Sequence, residues 1–307
     1  MRDDMEKTTI HLEGVYKYYG KVHALRGLDL DVMRGEVFGF LGPNGAGKTT
    51  TIRCMLDLIR PNRGRIRVLG ADPQSSPQAV KAKVGYLPGD LKLDGDFTPR
   101  DFFKHIRKLR GNLRPWKELL QIAGRLDLDL DKKIRTLSQG NKQKVGLVQS
   151  FISKVPLLML DEPTLGLDPL MQQEVLNLIR EECEQGTTVF FSSHVLSEVQ
   201  KVADRVGIIR QGRLVEIAQT DDLINRALTR ATVQLNEPAN PAEFEGLENV
   251  AVIRVNDGQR AYTLEIRGEM DGFIKKLAAY PVRDLAIHRP SLEEVFLNYY
   301  RDDEEEA

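Results

Sequence analysis

Apolar positions along the chain follow two rhythms, one with period two and one at helical spacing. Residues 8–12, 25–32 and 36–41 alternate or run apolar and predict strands, with Arg34-Gly35 as a turn. Residues 37–41 (VFGFL) read as a buried strand. Residues 50–59 then carry Ile52, Met55, Leu56 and Ile59 at the spacing of a helix. A turn at 61–64, a strand at 65–69 and a loop at 70–77 follow. From near Val84 to Val155 the pattern is mainly helical, with Phe102, Phe103, Ile106 and Leu109 on one helix face.

Beyond Pro156 the rhythm changes again. Residues 157–160 (LLML) run apolar into Asp161-Glu162, the pattern of a buried parallel strand whose C-terminal end meets chemistry. A helix over 170–183, a strand over 187–191, a short helical stretch opened by His194 and a hairpin over 206–217 turning at Gln211-Gly212 complete this part. Strands alternating with helices predict an α/β domain with a largely parallel sheet. Past about Thr220, strands over 231–235, 250–255, 262–266 and 285–288 and helices over 271–279 and 291–300 predict a small α+β module. Its acidic tail, 302–306, reads as a frayed end.

Composition narrows the classes. At 307 residues, with 41% hydrophobic and 29% charged residues, the chain has room for one large and one smaller globular domain. The net charge of -1 argues against a dedicated nucleic-acid binder. Cys54 and Cys183 fall in predicted helices and read as buried small side chains in a reducing compartment. The charged stretch 1–7 shows no secretory signal, and the longest apolar run, 155–160, is far too short to span a bilayer. The helix carrying Phe102 also carries Arg100, Lys104, His105, Arg107, Lys108 and Arg110. This surface reads first as a solvated basic face, and second as a contact for a membrane protein's loops or for anionic headgroups.

The stretch Gly42-Pro43-Asn44-Gly45-Ala46-Gly47-Lys48-Thr49 fits GxxxxGK[ST] between a predicted strand and a predicted helix. Glycines let the backbone curl so that successive N–H groups face phosphate oxygens, and the helix N-terminus adds its positive end. Lys48 would reach the β- and γ-phosphates, and the Thr49 hydroxyl would ligate Mg²⁺. Asp161 and Glu162, adjacent at a strand end downstream of this loop, suggest two tasks: holding Mg²⁺ and polarising a water. Neighbouring side chains in a strand face opposite ways, so both reach one site only where the strand ends. Tyr16, Tyr18 and Tyr19 cluster ahead of Gly20; strand packing and stacking on a nucleotide base are both open readings.

These residues, with LSQGN at 137–141 ahead of a helix predicted over 142–153, LLMLDEPT, GLD at 166–168 and SSH at 192–194, occur together in one order. In that order and spacing, residues 8–220 resemble the ATP-binding subunit of an ABC transporter. The residues GEVFGFL at 35–41 and SLEEVF at 291–296 resemble the subfamily that serves simple exporters. The resemblance implies a P-loop ABC-type ATPase domain over 1–220, with a parallel-sheet core, an antiparallel β subdomain and a helical subdomain at about 86–155. The α+β accessory module would occupy 221–307. It implies that Gly42 to Thr50 bind the phosphates of ATP, that Asp161 supports Mg²⁺, and that Glu162 is the general base. His194 would contact the γ-phosphate and position water, Tyr19 would stack on adenine, and Asp168 would lie at a dimer interface. Ser138, Gln139 and Gly140 would face ATP bound to a second copy, so that ATP joins a dimer whose hydrolysis releases it.

Two positions depart from the family pattern. LSQGN stands where LSGGQ is commoner, placing Gln139 for a glycine and Asn141 for a glutamine while keeping Ser138 and Gly140. After 85–88 (GYLP) the family has glutamine or glutamate toward Mg²⁺ and water; this chain has Gly89, with Asp90 as a candidate substitute one residue on. The resulting expectation is an ATPase on the cytoplasmic face of the membrane, powering export through a separate transmembrane permease. The alternatives are a soluble ABC ATPase acting on ribosomes or nucleic acid, and a regulatory protein that holds ATP without turnover. One cassette, no long coiled coil or zinc-binding cysteines, and the presence of Glu162 and His194 favour the first. The resemblance leaves open the cargo, homodimer against heterodimer, and whether the C-terminal module braces the dimer, docks the permease or senses a ligand.

Overall fold

A computed structural model of the chain describes residues 7–222, 229–241, 244, 246–247, 249–256 and 258–288. The chain divides into two compact units, Met1–Ala218 and Gln219–Ala307. In the first, the strands are β1 (Thr8–Tyr19), β2 (Val22–Met33), β3 (Val37–Leu41), β4 (Arg63–Val68), β5 (Val84–Leu87), β6 (Leu157–Asp161), β7 (Thr188–Ser193), β8 (Arg205–Arg210) and β9 (Arg213–Gln219). The helices are α1 (Lys48–Met55), α2 (Pro77–Ala82), α3 (Pro99–Leu109), α4 (Trp116–Arg125), α5 (Gln139–Ser150), α6 (Pro169–Glu184) and α7 (Leu196–Val202).

The central sheet has the order β5-β6-β7-β3-β8-β9, and β5, β6, β7, β3 and β8 pair in parallel. Every residue of β3, β6 and β7 is buried, which is why these strands read as apolar runs rather than alternations. An antiparallel sheet, β2-β1-β4, lies beside it. One apolar cluster joins them, from Ile10, Leu12, Leu25 and Leu28 through Ile52 and Met55 of α1 to Phe38, Phe40 and Phe190. Phe190 stacks on Phe38 with ring centres 5.8 Å apart and tilts against Phe40 at 5.3 Å. In the register, Leu41 faces Ser193 and Asp161 faces Ser192. The loops after β3, β6 and β7 therefore leave one edge of the sheet side by side, the edge where ligands bind in open parallel sheets.

Several expectations change. Val84–Leu87 is a strand paired with β6, so the helical part starts after it and not near Val84; the four-residue run was too short to separate strand from helix by periodicity. On α3, Phe103 is buried, but Leu109 is 73% exposed. Of the basic residues on and just after α3, Lys104, His105 and Lys108 are exposed, as a solvated face requires, whereas Arg100, Arg107 and Arg110 are engaged within the chain. Arg107 donates to the Arg114 carbonyl at 2.5 Å and lies over the Trp116 ring. Arg110 donates to the Lys81 and Val84 carbonyls, both at 3.1 Å, and Arg100 pairs with Asp131. Burial holds the Arg110 guanidinium below the ordinary arginine range. Helix α5 starts at Gln139, three residues before the expected start, because Ser138 caps it by accepting from Asn141 N. Helix α1 spans 48–55 where 50–59 was expected, and the stretch after Met55 folds back in a turn.

In the second unit the strands are β10 (Thr229–Leu235), β11 (Val250–Asn256), β12 (Ala261–Ile266) and β13 (Val282–His288), with helix α8 (Asp271–Leu277). They form an antiparallel sheet in the order β11-β12-β10-β13. Ala231, Val233, Leu235, Tyr262, Leu264 and Ile266 supply its buried face, with Phe244, Phe273 and Leu277. The helix expected over 291–300, the SLEEVF stretch and the acidic tail lie outside the described residues. Among the described residues, no helix is long and apolar enough to cross a membrane.

Phe190 is the test of the shared core. Phe190→Ala removes a ring packed between Phe38 and Phe40 and is expected to cost about 3–5 kcal/mol. Thermal unfolding followed by circular dichroism should show a fall in Tm on the order of 10 °C.

Candidate active site

The loop between β3 and α1 bends tightly because Gly45 and Gly47 take φ of 80° and 114°, values that a side chain would make costly. Ala46 N donates to Pro43 O at 3.2 Å, and Thr51 N donates to Gly47 O at 2.9 Å. Gly42 lies behind the loop, where a Cβ would come within 2.4 Å of the Ile209 carbonyl, and Ala46 is buried. Pro43, Asn44, Gly45, Gly47, Lys48, Thr49 and Thr50 line an open cleft of about 520 Å³. Val22, His23, Ala24, Arg26 and Gln211 form another part of its wall, and Arg53, Gly89, Asp90 and Glu162 complete it.

Lys48 is 6% exposed. Its ammonium donates to the Gly42 and Pro43 carbonyls at 2.6 and 3.2 Å and lies 3.1 Å from Glu162 Oε1. The other carboxylate oxygen of Glu162 meets His194 Nδ1 at 2.8 Å. Glu162 reaches both partners because its backbone leaves the strand: its φ is 51°, in the left-handed region. Two bonds from Glu162 N, to Ser192 O at 3.2 Å and Ser192 Oγ at 3.0 Å, hold that bend. Buried Gln143 of α5 supports it from below, donating to the carbonyls of Glu162 and Pro163 at 3.0 and 3.3 Å.

Asp161, the last residue of β6, is fully buried. Its Oδ1 accepts from Ser192 Oγ at 2.6 Å, whereas its Oδ2 has no hydrogen-bond partner. A Cβ on Gly89 would sit 2.8 Å from that Oδ2, so the chain after β5 passes directly against the carboxylate. The departure from the family pattern at position 89 thus has a steric counterpart. Tyr86 of β5 is pushed up to about 12 by burial and by Asp161, against the pull of its bond to Arg53.

The remaining expected residues fall in two places. Asp90 lines the cleft with an exposed carboxylate 3.8 Å from Lys92 Nζ. Tyr19 pairs with Val22 at the end of the β1–β2 ladder and adjoins the cleft without lining it; Lys17 Nζ lies 5.2 Å from its ring centre. Ser138, Gln139 and Gly140 line no part of this cleft. Ser138 and Gln139 are exposed, and Ser138 Oγ accepts from Asn141 N and Nδ2 at 3.3 and 3.2 Å. Gly140 is required sterically, since a Cβ there would lie 2.6 Å from the Gly166 carbonyl. Asp168 caps α6, accepting from Met171 N at 3.0 Å. Sequence reasoning missed Gln143, Arg53 and the part of Ser192. SSH contained Ser192, but nothing local showed that its hydroxyl bonds across strands to Asp161.

A phosphate loop, two consecutive carboxylates at the end of β6 and a histidine bonded to the second of them, on one edge of a parallel sheet, define a P-loop nucleotide-hydrolase domain. Residues 25–165 match the family model described as ABC transporter. The chain is 35% identical over 311 residues to the daunorubicin resistance ATP-binding protein DrrA3 of Streptomyces coeruleorubidus, covering 97% of this chain and 98% of that one. It is 35% identical over 233 residues to the bacitracin transport ATP-binding protein BcrA of Bacillus licheniformis, covering 75% and 76%. Among solved structures, the ATP binding subunit of an ABC transporter superposes with a TM-score of 0.64 at 28% identity, over 70% of this chain and 92% of that one. The chain belongs to the ATP-binding subunits of ABC transporters, and is an ATP-hydrolysing subunit of the exporter type.

Gly89→Ala should crowd Asp161 Oδ2 and displace the carboxylate. A loss on the order of 10–100-fold in phosphate release from ATP is expected, as for a small misplacement of a reacting centre, with Tm within a few degrees of wild type.

Proposed function

We propose that this chain powers export of a drug- or antibiotic-like compound through a separate transmembrane permease, working as an ATP-joined pair at the cytoplasmic face of the membrane. The observation that carries the reading is Glu162, held between Lys48 and His194 at the mouth of the phosphate cleft. The names of the relatives, one for daunorubicin resistance and one for bacitracin transport, support the substrate class.

In this reading Gly42 to Thr50 cradle the triphosphate with backbone N–H groups, and Lys48 exchanges its loop carbonyls and Glu162 for phosphate oxygens. Glu162, freed of Lys48, takes a proton from water as that water attacks the γ-phosphorus, and ADP leaves. His194, hydrogen-bonded to Glu162, orients the base and the water. Tyr19, beside Val22, stacks on adenine. The Thr49 hydroxyl and Asp161, with its unpartnered buried oxygen, fit a bound Mg²⁺, and Asp90 is a third candidate. Bound there, Mg²⁺ would neutralise charge on the phosphates. Among the described residues no three His, Cys, Asp or Glu side chains converge on a metal.

Exposed Ser138 and Gln139, with Gly140 at the start of α5, lie outside the cleft of their own chain, which supports a role for them on ATP held by a second copy. A homodimer is favoured because Glu162 and Ser138 are both present.

Sizing with light scattering on Glu162→Gln protein tests the split site. Monomer without nucleotide and dimer with Mg-ATP is the expected pair of results; monomer in both conditions would reject the ATP-joined homodimer. Asp90→Ala should lower phosphate release far more than Asp94→Ala, and equal effects would remove Asp90 as a ligand.

A further inference from the structure

We propose that Gln211, on the turn between β8 and β9, hydrogen-bonds the base of the bound nucleotide and favours adenine over guanine. The inference rests on the ATP-site reading above and adds a residue that chooses the nucleotide. Gln211 and Gly212 are the two residues between β8 and β9, with φ of 47° and 79°. Two positive φ values are what a tight type I′ hairpin turn needs, and asparagine, aspartate or glycine meets that need at the first position at least cost. Glutamine there is strained, by a backbone conformation its side chain does nothing to ease. Strain of this kind is retained where the side chain is used.

The turn is fastened on two sides. Gly212 N donates to Ala46 O of the phosphate loop at 2.9 Å, and Gly212 O accepts from Arg26 N of β2 at 2.8 Å. A Cβ on Gly212 would lie 2.6 Å from the Ala24 carbonyl, so the turn sits directly against β2. This anchoring puts Gln211 on the wall of the cleft with Val22, His23 and Ala24, at the start of the strand whose first residue pairs with Tyr19. A triphosphate in the loop between Gly45 and Thr49 leaves its nucleoside to that wall. The carboxamide carries an acceptor and a donor side by side, matching the N6 amino group and N7 of adenine; guanine presents acceptors at both O6 and N7.

Calorimetric titration of the full chain with Mg²⁺ complexes of inorganic tripolyphosphate and of non-hydrolysable ATP and GTP analogues tests this. Gln211→Asn and Gln211→Gly both suit the turn, so each should keep or raise Tm. The expected result is a roughly five- to tenfold weaker affinity for the ATP analogue, the worth of one or two hydrogen bonds. Affinity for tripolyphosphate should be unchanged, and preference for the ATP over the GTP analogue should fall. Unchanged affinity for the ATP analogue would overturn the proposal, as would an equal weakening toward tripolyphosphate, since the turn would then act only by supporting the loop. Wild-type protein that binds none of the three would overturn the ATP-site reading itself.

Discussion

At the end of β6 the chain must turn Glu162 out of the strand while leaving Asp161 in it. Adjacent strand residues point to opposite faces, and only the bend at Glu162 lets both carboxylates serve one site. The bend costs backbone strain on the order of 1–3 kcal/mol, and it is held by Ser192 from β7 and Gln143 from α5. With the bend in place, the Glu162 carboxylate joins Lys48 of the phosphate loop to His194 beyond β7. Three segments far apart in sequence meet through that one side chain. The parallel pairing of β3, β6 and β7 sets where they meet.

The same residue ties the sheet to the helical part of the unit. Gln143 reads the Glu162 and Pro163 carbonyls, and Gly140 lies against the Gly166 carbonyl in the next loop. Further along, Arg114 and Glu182 form an almost fully buried pair, while Arg125 holds Glu174 and Glu181 of α6. Burial pushes the Glu182 carboxyl up, while Arg114 beside it pulls it down. Gln143 is the fifth residue of α5, so the exposed start of that helix stands about one turn from the residue that touches the carboxylate turn.

Where the chemistry is local, the residues spoke for themselves. The phosphate loop is eight consecutive residues between a strand and a helix, and the structure brings Lys48 and Thr49 to the cleft as that local logic requires. The apolar runs of β3, β6 and β7 were equally legible, because strands buried on both faces leave no alternation to misread. Short or amphipathic pieces were harder. Val84–Leu87 has four residues and no period, and Leu109 matched the apolar face of α3 yet stands in solvent. Of the basic residues on and just after α3, Lys104, His105 and Lys108 do face solvent, but Arg107 and Arg110 donate to nearby carbonyls.

The sequence by itself determined a phosphate-loop motif between a strand and a helix, two carboxylates at the end of a buried strand with a histidine downstream, and a large unit built on a parallel sheet. Those features depend on neighbours within a few residues and on the order of motifs. Only the tertiary structure decided that Ser192 and Gln143 hold the carboxylate turn, that Gly89 runs against the free oxygen of Asp161, and that Gln211 reaches the wall beside β2. Each of those contacts joins residues brought together by pairing of distant strands or packing of a helix. Partners dozens of residues apart leave no periodic mark in the chain that could announce them.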